Sequence, residues 1–325
     1  MTYGVILDVD TGIDDAMAIM FAVRHPEIDV RAITCVTGNV GLKQVLANTL
    51  SILDVADAPQ IPVAAGAQRP LVAAARDASW VHGKDGLGGI GLPASARELS
   101  PLHAVELMHR ELLAADEPLT IVALAPLTNV ALLLRMYPDA AQRIARIVFM
   151  GGSASVGNAT AVAEFNIWHD PEAAAIVIDS GIPLTMYGLD VFNRVAAEAD
   201  TIARLADATA PVARTLGGLL GFELTDPGDG TVFTHPLIGD AGAVCALVAP
   251  ELFTFESRPV QVELAPGFSR GQTMVDRRAY GGEDLVHEPG WTPWPLADVA
   301  LDVDVPGTLE LFFGTLVDTA GAAAS

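Results

Sequence analysis

Val5-Ile6-Leu7-Asp8-Val9-Asp10-Thr11-Gly12-Ile13-Asp14-Asp15-Ala16-Met17-Ala18-Ile19-Met20-Phe21 decides how the chain is read. Val5–Leu7 is a short continuous apolar run and reads as a strand buried on both faces. A turn at Gly12 follows, and Asp14–His25 then reads as a helix that is apolar nearly all round. The pattern recurs outward from there. Val30–Val36 is a second strand and Leu42–Val55 a second helix. Ser100 with Pro101 predicts a helix running to about Ala115. Thr120–Leu124, Ile147–Met150 and Leu184–Tyr187 are further buried strands, and Pro259–Leu264 with Thr273–Asp276 is a strand pair. Leu301–Val305 and Thr308–Asp318 close the chain as strand and helix. Strands that alternate with helices in this way imply an α/β fold: a mostly parallel central sheet flanked by helices. No Gly/Ser/Pro-rich linker divides it, so one domain over residues 1–325 is expected, with 320–325 as a disordered tail.

Polar residues gather just after the strands: Asp8 and Asp10, then Asn39, then Pro126-Leu127-Thr128-Asn129, then Gly151-Gly152-Ser153, then Asp190. In open α/β sheets ligands bind beyond the carboxyl ends of the strands, so these loops are expected to converge on one crevice.

Composition narrows what binds there. Of the 325 residues 51% are hydrophobic, enough for a large core, and 40 acidic residues against 18 basic give a net charge of −22. A surface this negative repels phosphate backbones and argues against nucleic acid. Cys35 and Cys245 each sit in apolar runs and read as small buried hydrophobes, not as a disulfide framework. No segment reads as a membrane span. Met1 to Leu7 enters a strand-like run with no basic n-region, which predicts no signal peptide and a cytoplasmic protein.

Asp8, Asp10, Asp14 and Asp15 crowd four carboxylates into eight residues. Ionised carboxylates this close repel one another. The helix N-terminus compensates part of that charge, and a bound divalent cation would compensate more. Calcium takes roughly 6–8 oxygen ligands, often several carboxylates. The spacing lacks the glycine and downstream Glu of an EF-hand loop, and acids stand where a phosphate-binding loop would hold phosphate. One alternative is a haloacid-dehalogenase-like phosphatase, which also carries Asp-x-Asp after its first strand. That motif wants Thr or Val two residues after the second Asp, where this chain has Gly12.

The acidic segment resembles the signature of the inosine-uridine-preferring nucleoside hydrolases, and the resemblance extends over nearly the whole chain. Val36-Thr37-Gly38-Asn39, His82-Gly83-Lys84-Asp85-Gly86-Leu87-Gly88 and Ala125-Pro126-Leu127-Thr128-Asn129 are similar to loops of that family. Met150-Gly151-Gly152, Gly157-Asn158-Ala159-Thr160 and Ala163-Glu164-Phe165-Asn166-Ile167-Trp168-His169-Asp170-Pro171-Glu172-Ala173 are similar to further blocks in the same order. The resemblance implies calcium-dependent hydrolysis of ribonucleosides to ribose and free base. It implies that Asp10, Asp15, Asp240 and the Leu124 carbonyl hold Ca2+, with Asp10 as general base on a calcium-bound water. Asp14, Asn39, Asn158, Glu164, Asn166 and Asp240 would hold the ribose hydroxyls, and Asp8 would orient its neighbours. A homodimer or homotetramer is implied as well. The chemistry agrees with these roles, because an oxocarbenium-like sugar is stabilised by surrounding carboxylates.

One position departs from the family. Many relatives have a His directly before the last ligand, which protonates the departing base; here Ile238-Gly239-Asp240 places Gly239 there. His235, His82 and a stacking Trp80 are the candidate substitutes. A non-catalytic ribose- or calcium-binding homologue is therefore a further alternative. Residues 76–90 and 221–235 lack strong periodicity and are expected to act as flaps over the base. Trp168 is expected to pack against a helix, and Trp291 and Trp294 to serve the fold or an oligomer contact.

Overall fold

The computed structural model describes residues 2–226, 228–284 and 293–317. The strands are β1 (Tyr3–Val9), β2 (Ile28–Cys35), β3 (Val63–Ala65), β4 (Leu119–Ala123), β5 (Ile144–Met150), β6 (Leu184–Tyr187), β7 (Glu223–Thr225), β8 (Val232–Thr234), β9 (Phe253–Val262), β10 (Thr273–Val275) and β11 (Leu296–Val303). The helices are α1 (Ile13–Arg24), α2 (Leu42–Val55), α3 (Ser79–His82), α4 (Ala104–Ala114), α5 (Thr128–Met136) and α6 (Phe165–His169). They continue with α7 (Pro171–Ile178), α8 (Leu189–Phe192), α9 (Ala199–Ala206), α10 (Pro211–Leu220), α11 (Ala241–Val248) and α12 (Val305–Leu316).

One nine-stranded sheet, ordered β10-β9-β11-β6-β5-β4-β1-β2-β3, runs through the molecule. From β3 to β11 neighbouring strands are parallel, and β9 and β10 extend the sheet antiparallel. The expected mostly parallel sheet is therefore present, and the expected strand pair forms as β9 and β10, antiparallel at the sheet's edge.

The strand β1 pairs with β2 on one side and β4 on the other. The chain winds outward through β2 and β3, returns, and winds the other way from β4. That reversal opens a crevice beyond the carboxyl ends of β1 and β4, where crossover connections diverge.

Strand alternation distributes the core to both faces. Val5, Leu7 and Val9 join a buried cluster with α1, α2, α10 and α11, whereas Ile6 joins the opposite cluster with α4, α5 and α7. Burying one large apolar side chain contributes about 1.5–3 kcal/mol. The helix α1 is the most enclosed: Ala16 to Ala22 are all inaccessible, because α2, α11 and α12 pack around it. This is why its sequence shows no polar face. His25 and Pro26 end it, since proline disfavours helical geometry in the residue before it.

Helix α4 begins later than expected. Its first residue is Ala104, and His103 is the cap: its Nδ1 accepts from Val105 N at 3.3 Å while Glu106 Oε2 accepts from His103 N at 3.3 Å. This reciprocal cap fixes the start, so Pro101 lies outside the helix. Part of the expected flap at 221–235 forms the antiparallel hairpin β7–β8. Trp294 is half-buried, and Trp291 and the 320–325 tail lie outside the described residues.

Candidate active site

The crevice at the reversal point is a cavity of about 580 Å³. Its floor comes from chain segments far apart in sequence: the turn after β1, the loop after β2, the end of β4, α6, and the residues that lead into α11.

Asp10, Asp15 and Asn39 lock the floor together. Asn39 donates its backbone N–H to Asp10 Oδ2 at 2.8 Å, and its side-chain amide to Asp10 Oδ1 at 3.1 Å and Asp15 Oδ2 at 3.0 Å. Asp15 in turn accepts from the N–H groups of Asp10 at 3.1 Å and Gly12 at 2.9 Å, closing the first turn of α1. Behind them Asp8 Oδ1 accepts from Thr34 at 2.6 Å and from Asn129 at 2.8 Å. Asn129 also donates to the Cys35 carbonyl and accepts from Ala67 N, so one amide ties three loops.

Asp14, Asp15 and Asp240 each bring a carboxylate oxygen within 4.8 Å of the others. Asp10 lies beside this trio, with both of its oxygens accepting from Asn39. The Leu124 carbonyl accepts from Asn166 Nδ2 at 2.9 Å, and the same amide reaches the Met150 carbonyl at 3.1 Å. Glu164 caps α6. Its Oε1 accepts from Asn166 N at 2.9 Å, and its Oε2 accepts from Gly152 N at 3.0 Å and Ile167 N at 3.1 Å. Asn158 Oδ1 accepts from Phe165 N at 2.9 Å, which holds the 158–164 loop against α6.

The electrostatics of the floor call for a cation. Burial pushes Asp10 well up from its ordinary value, and neighbouring Asp15 adds to the shift. Asp240 is pushed up by burial, then by Asp14, Asp15, Asp10 and Glu164. Asp15 and Glu164 each rise to about 7, again mainly through burial. Asp14 Oδ1 is buried without a hydrogen-bond partner. No lysine or arginine stands among these groups, and Arg76 lies on the cavity wall over the Trp168 ring at 3.8 Å. A hard divalent ion would satisfy both the orphaned oxygen and the mutual repulsion. The residues therefore fit an all-oxygen metal site.

Above the floor the cavity is mostly apolar: Trp80, Phe165, Trp168, Phe222 and Phe233 line it, with His82 and His235 as titratable groups. His82 is buried, and His235 lies exposed at the rim. Burial lowers the His82 pKa, Asp14 opposes the shift, and His235 adds to it. Trp80 is 55% exposed although it faces the cavity. The two expected flaps touch, since α3 packs on β7 and Phe222 lies against Gly88.

Trp168 corrects an expectation. It lines the cavity, with Arg76 stacked on it, and does not merely pack on a helix. Its spacing four residues after Glu164 was the available signal, because helical periodicity puts both on one face. Phe222, Phe233 and Arg76 carried no comparable signal, lying in segments whose course depends on tertiary contacts.

Gly239 has a structural cause. Its φ is +55°, and a Cβ there would run into Asp14 Cβ. On this backbone a histidine at 239 would need Asp14 or the local chain to shift.

A sequence profile described as inosine-uridine preferring nucleoside hydrolase matches residues 5–310. The chain belongs to this family. The nucleoside hydrolase is 41% identical over 312 residues to the pyrimidine-specific ribonucleoside hydrolase RihA of Escherichia coli O9:H4 (strain HS), covering 96% of this chain and 97% of that one. Among solved structures it superposes on a plant nucleoside hydrolase, PpNRh1, with a TM-score of 0.86, 30% identity and coverage of 97% and 99%. The purine-preferring ribonucleoside hydrolase from Gardnerella vaginalis gives 0.83, 31%, 96% and 98%. Its relatives are named ribonucleoside hydrolases, enzymes that hydrolyse N-glycosidic bonds. Among the described residues no helix is long and apolar enough to cross a membrane.

Proposed function

We propose that this nucleoside hydrolase cleaves the N-glycosidic bond of ribonucleosides with a resident Ca2+ held by Asp10, Asp15, Asp240 and the Leu124 carbonyl. The observation that carries this reading is the set of buried carboxylates, short of counter-charge, beneath an aromatic-walled cavity. Bound there, the cation would lower the pKa of a water molecule and hold it near the anomeric carbon.

The remaining work falls to the chain. Asp10, held by Asn39, takes a proton from the attacking water. Asp14, Asn39, Asn158, Glu164, Asn166 and Asp240 bind the ribose hydroxyls. Their summed negative charge favours the positive charge that develops on the sugar as the C1′–N bond opens. Trp80 and its aromatic neighbours receive the base, and His82 and His235 are the side chains within reach of the leaving nitrogen heterocycle. The electron pair of the broken bond stays on the base. The closure of the flaps over it would exclude bulk water. The same reading makes the enzyme a homo-oligomer of the cytoplasm acting in nucleoside salvage, in keeping with its acidic surface and its resemblance.

The test is release of reducing ribose from a nucleoside panel. Activity is expected to vanish with a chelator and to return with calcium. Asp10→Asn is expected to lower kcat by at least about 10²-fold with little change in ribose affinity. Ribose binding without turnover on any nucleoside would favour the non-catalytic alternative, and cleavage of para-nitrophenyl phosphate would favour the phosphatase.

A further inference from the structure

Acidic residues outnumber basic ones 40 to 18, and arginines elsewhere in the chain grip carboxylates: Arg97 holds Asp54, Arg258 holds Glu256 and Arg270 holds Glu172. Arg76, on the cavity wall, holds no carboxylate among the described residues. Asp77 beside it turns elsewhere, its Oδ1 accepting from the Ser79 N–H at 3.1 Å and the Ser79 hydroxyl at 2.6 Å. Trp168 holds Arg76 instead. Cζ lies 3.8 Å from the ring centroid, and Nη1 donates to the Trp168 carbonyl at 3.3 Å. The indole is fixed in turn. Trp168 N donates to the Glu164 carbonyl at 2.8 Å, and Gly271 packs so close that a Cβ there would meet Trp168 Cα at 2.8 Å.

A guanidinium stacked on a ring keeps its donors in its own plane, clear of that ring. The Nε–Nη2 edge of Arg76 is left without an acceptor among the described residues, and the side chain is exposed. Such an edge matches two oxygens of a phosphate. Its place in the site picks the substrate group. The proposed cation holds water at C1′, so that end of the sugar lies over Asp10, Asp15 and Asp240. C5′ is the one sugar carbon that projects from the ring, and it can carry a substituent without disturbing the hydroxyls at C2′ and C3′. Glu164 and Asn166, the proposed ribose-binding residues of α6, lead along that helix to Trp168 and so to Arg76. Glu164 opposes an anion there only weakly, because its two oxygens already accept three backbone N–H groups.

We infer that Arg76, carried on the Trp168 indole, is a specificity-determining residue that binds a phosphate on C5′ of the ribose, so that the site accepts nucleoside 5′-monophosphates as well as nucleosides. The inference rests on the nucleoside-hydrolase reading and extends its substrate class. The bond changes stay at C1′. The water oxygen bonds to C1′ as the C1′–N bond breaks, and the electron pair of that bond leaves with the base. The proton lost by the water is balanced by one taken up by the base. The phosphate ester is untouched, and the products are ribose 5-phosphate and free base. The acidic chain repels any anion at long range, in wild type and variants alike, so the ratio between anionic and neutral ligands is what reports Arg76.

Two measurements test this on the full-length protein. In the first, ribose and ribose 5-phosphate are compared as competitive inhibitors of uridine or inosine hydrolysis. Wild-type enzyme is expected to bind ribose 5-phosphate about ten-fold more tightly than ribose, and Arg76→Met to erase the difference. Equal inhibition constants in the wild type would overturn the inference whether or not any variant folds. In the second, release of free base gives kcat/KM for uridine, inosine, their 5′-monophosphates and orotidine, whose carboxylate sits on the base. Ribose 5-phosphate is expected as the co-product from the monophosphates. Arg76→Met is expected to lower the monophosphate values about ten-fold more than the nucleoside values, and Arg76→Lys, which keeps the charge without the stacked fork, to recover part of the difference. Equal losses on nucleosides and monophosphates, or no cleavage of either monophosphate by the wild type, would overturn the inference. A selective loss on orotidine would place the anion on the base and overturn it as well. Wild-type enzyme that released base from neither nucleoside would overturn the underlying reading instead.

Discussion

At the scale of single residues the structure makes three side chains informative. Gly239 sits at φ +55° with Asp14 in the way of any Cβ. We expect Gly239→Ala to destabilise the fold by about 1–3 kcal/mol in urea titration, and to lower activity by displacing Asp14. Tyr187 is fully buried with its hydroxyl unpartnered against Gly242. Removing an unsatisfied hydroxyl relieves a desolvation penalty, so Tyr187→Phe is expected to be neutral or to stabilise by about 1 kcal/mol. A loss of stability would mean that the hydroxyl does have a partner. His169 is 1% exposed with both ring nitrogens unpaired. Burial, then the charge of Arg76, lowers its pKa to about 4. The unfolded chain protonates this ring near pH 6.5, so the native state holds fewer protons below that pH. Stability attributable to the neutral ring is present above about pH 6.5 and is lost as pH falls toward 4. Between pH 7 and 5 wild-type protein is expected to lose about 2 kcal/mol more than His169→Leu, read from paired denaturation curves.

At the scale of elements, legibility followed the range of the forces involved. Helix α2 was readable to the residue, and β6 likewise, because strong local periodicity and buried apolar runs define them. The start of α4 was misplaced because a histidine does the capping, which a search for Ser, Thr or Asp passes over. The hairpin β7–β8 was missed because strands of three residues carry too little pattern. The site was legible where acids are dense in sequence, as from Asp8 to Asp15. It was obscure where the wall is assembled from afar, as with Trp168, Phe222 and Phe233. The two segments that touch through α3, Phe222 and the hairpin form one unit beside the cavity. We expect amide exchange in 76–90 and 221–235 to slow together when a ribose-like inhibitor binds. Unchanged exchange in either would separate them and remove the flap role.

At the scale of the whole molecule, the net charge of −22 and the buried carboxylates act in the same direction. Self-repulsion destabilises the compact state, and a ligand that binds only the native state restores it. Calcium at about 100 times its Kd is expected to stabilise the protein by about 2.7 kcal/mol, seen as a higher Tm that a chelator reverses. Sodium chloride is expected to raise the Tm less, because it screens surface charge without entering the floor. No shift with calcium would argue against a resident dication. The three clustered carboxylates also have a consequence for biosynthesis. In the proposed metal site, Asp10 and Asp15 leave the ribosome early, whereas Asp240 emerges only once most of the chain is made. A nascent chain thus owns two jaws of the clamp and lacks the third. Ion capture then becomes a late event that registers completion of the fold, and chains interrupted before residue 240 would be left without the grip that rewards finishing.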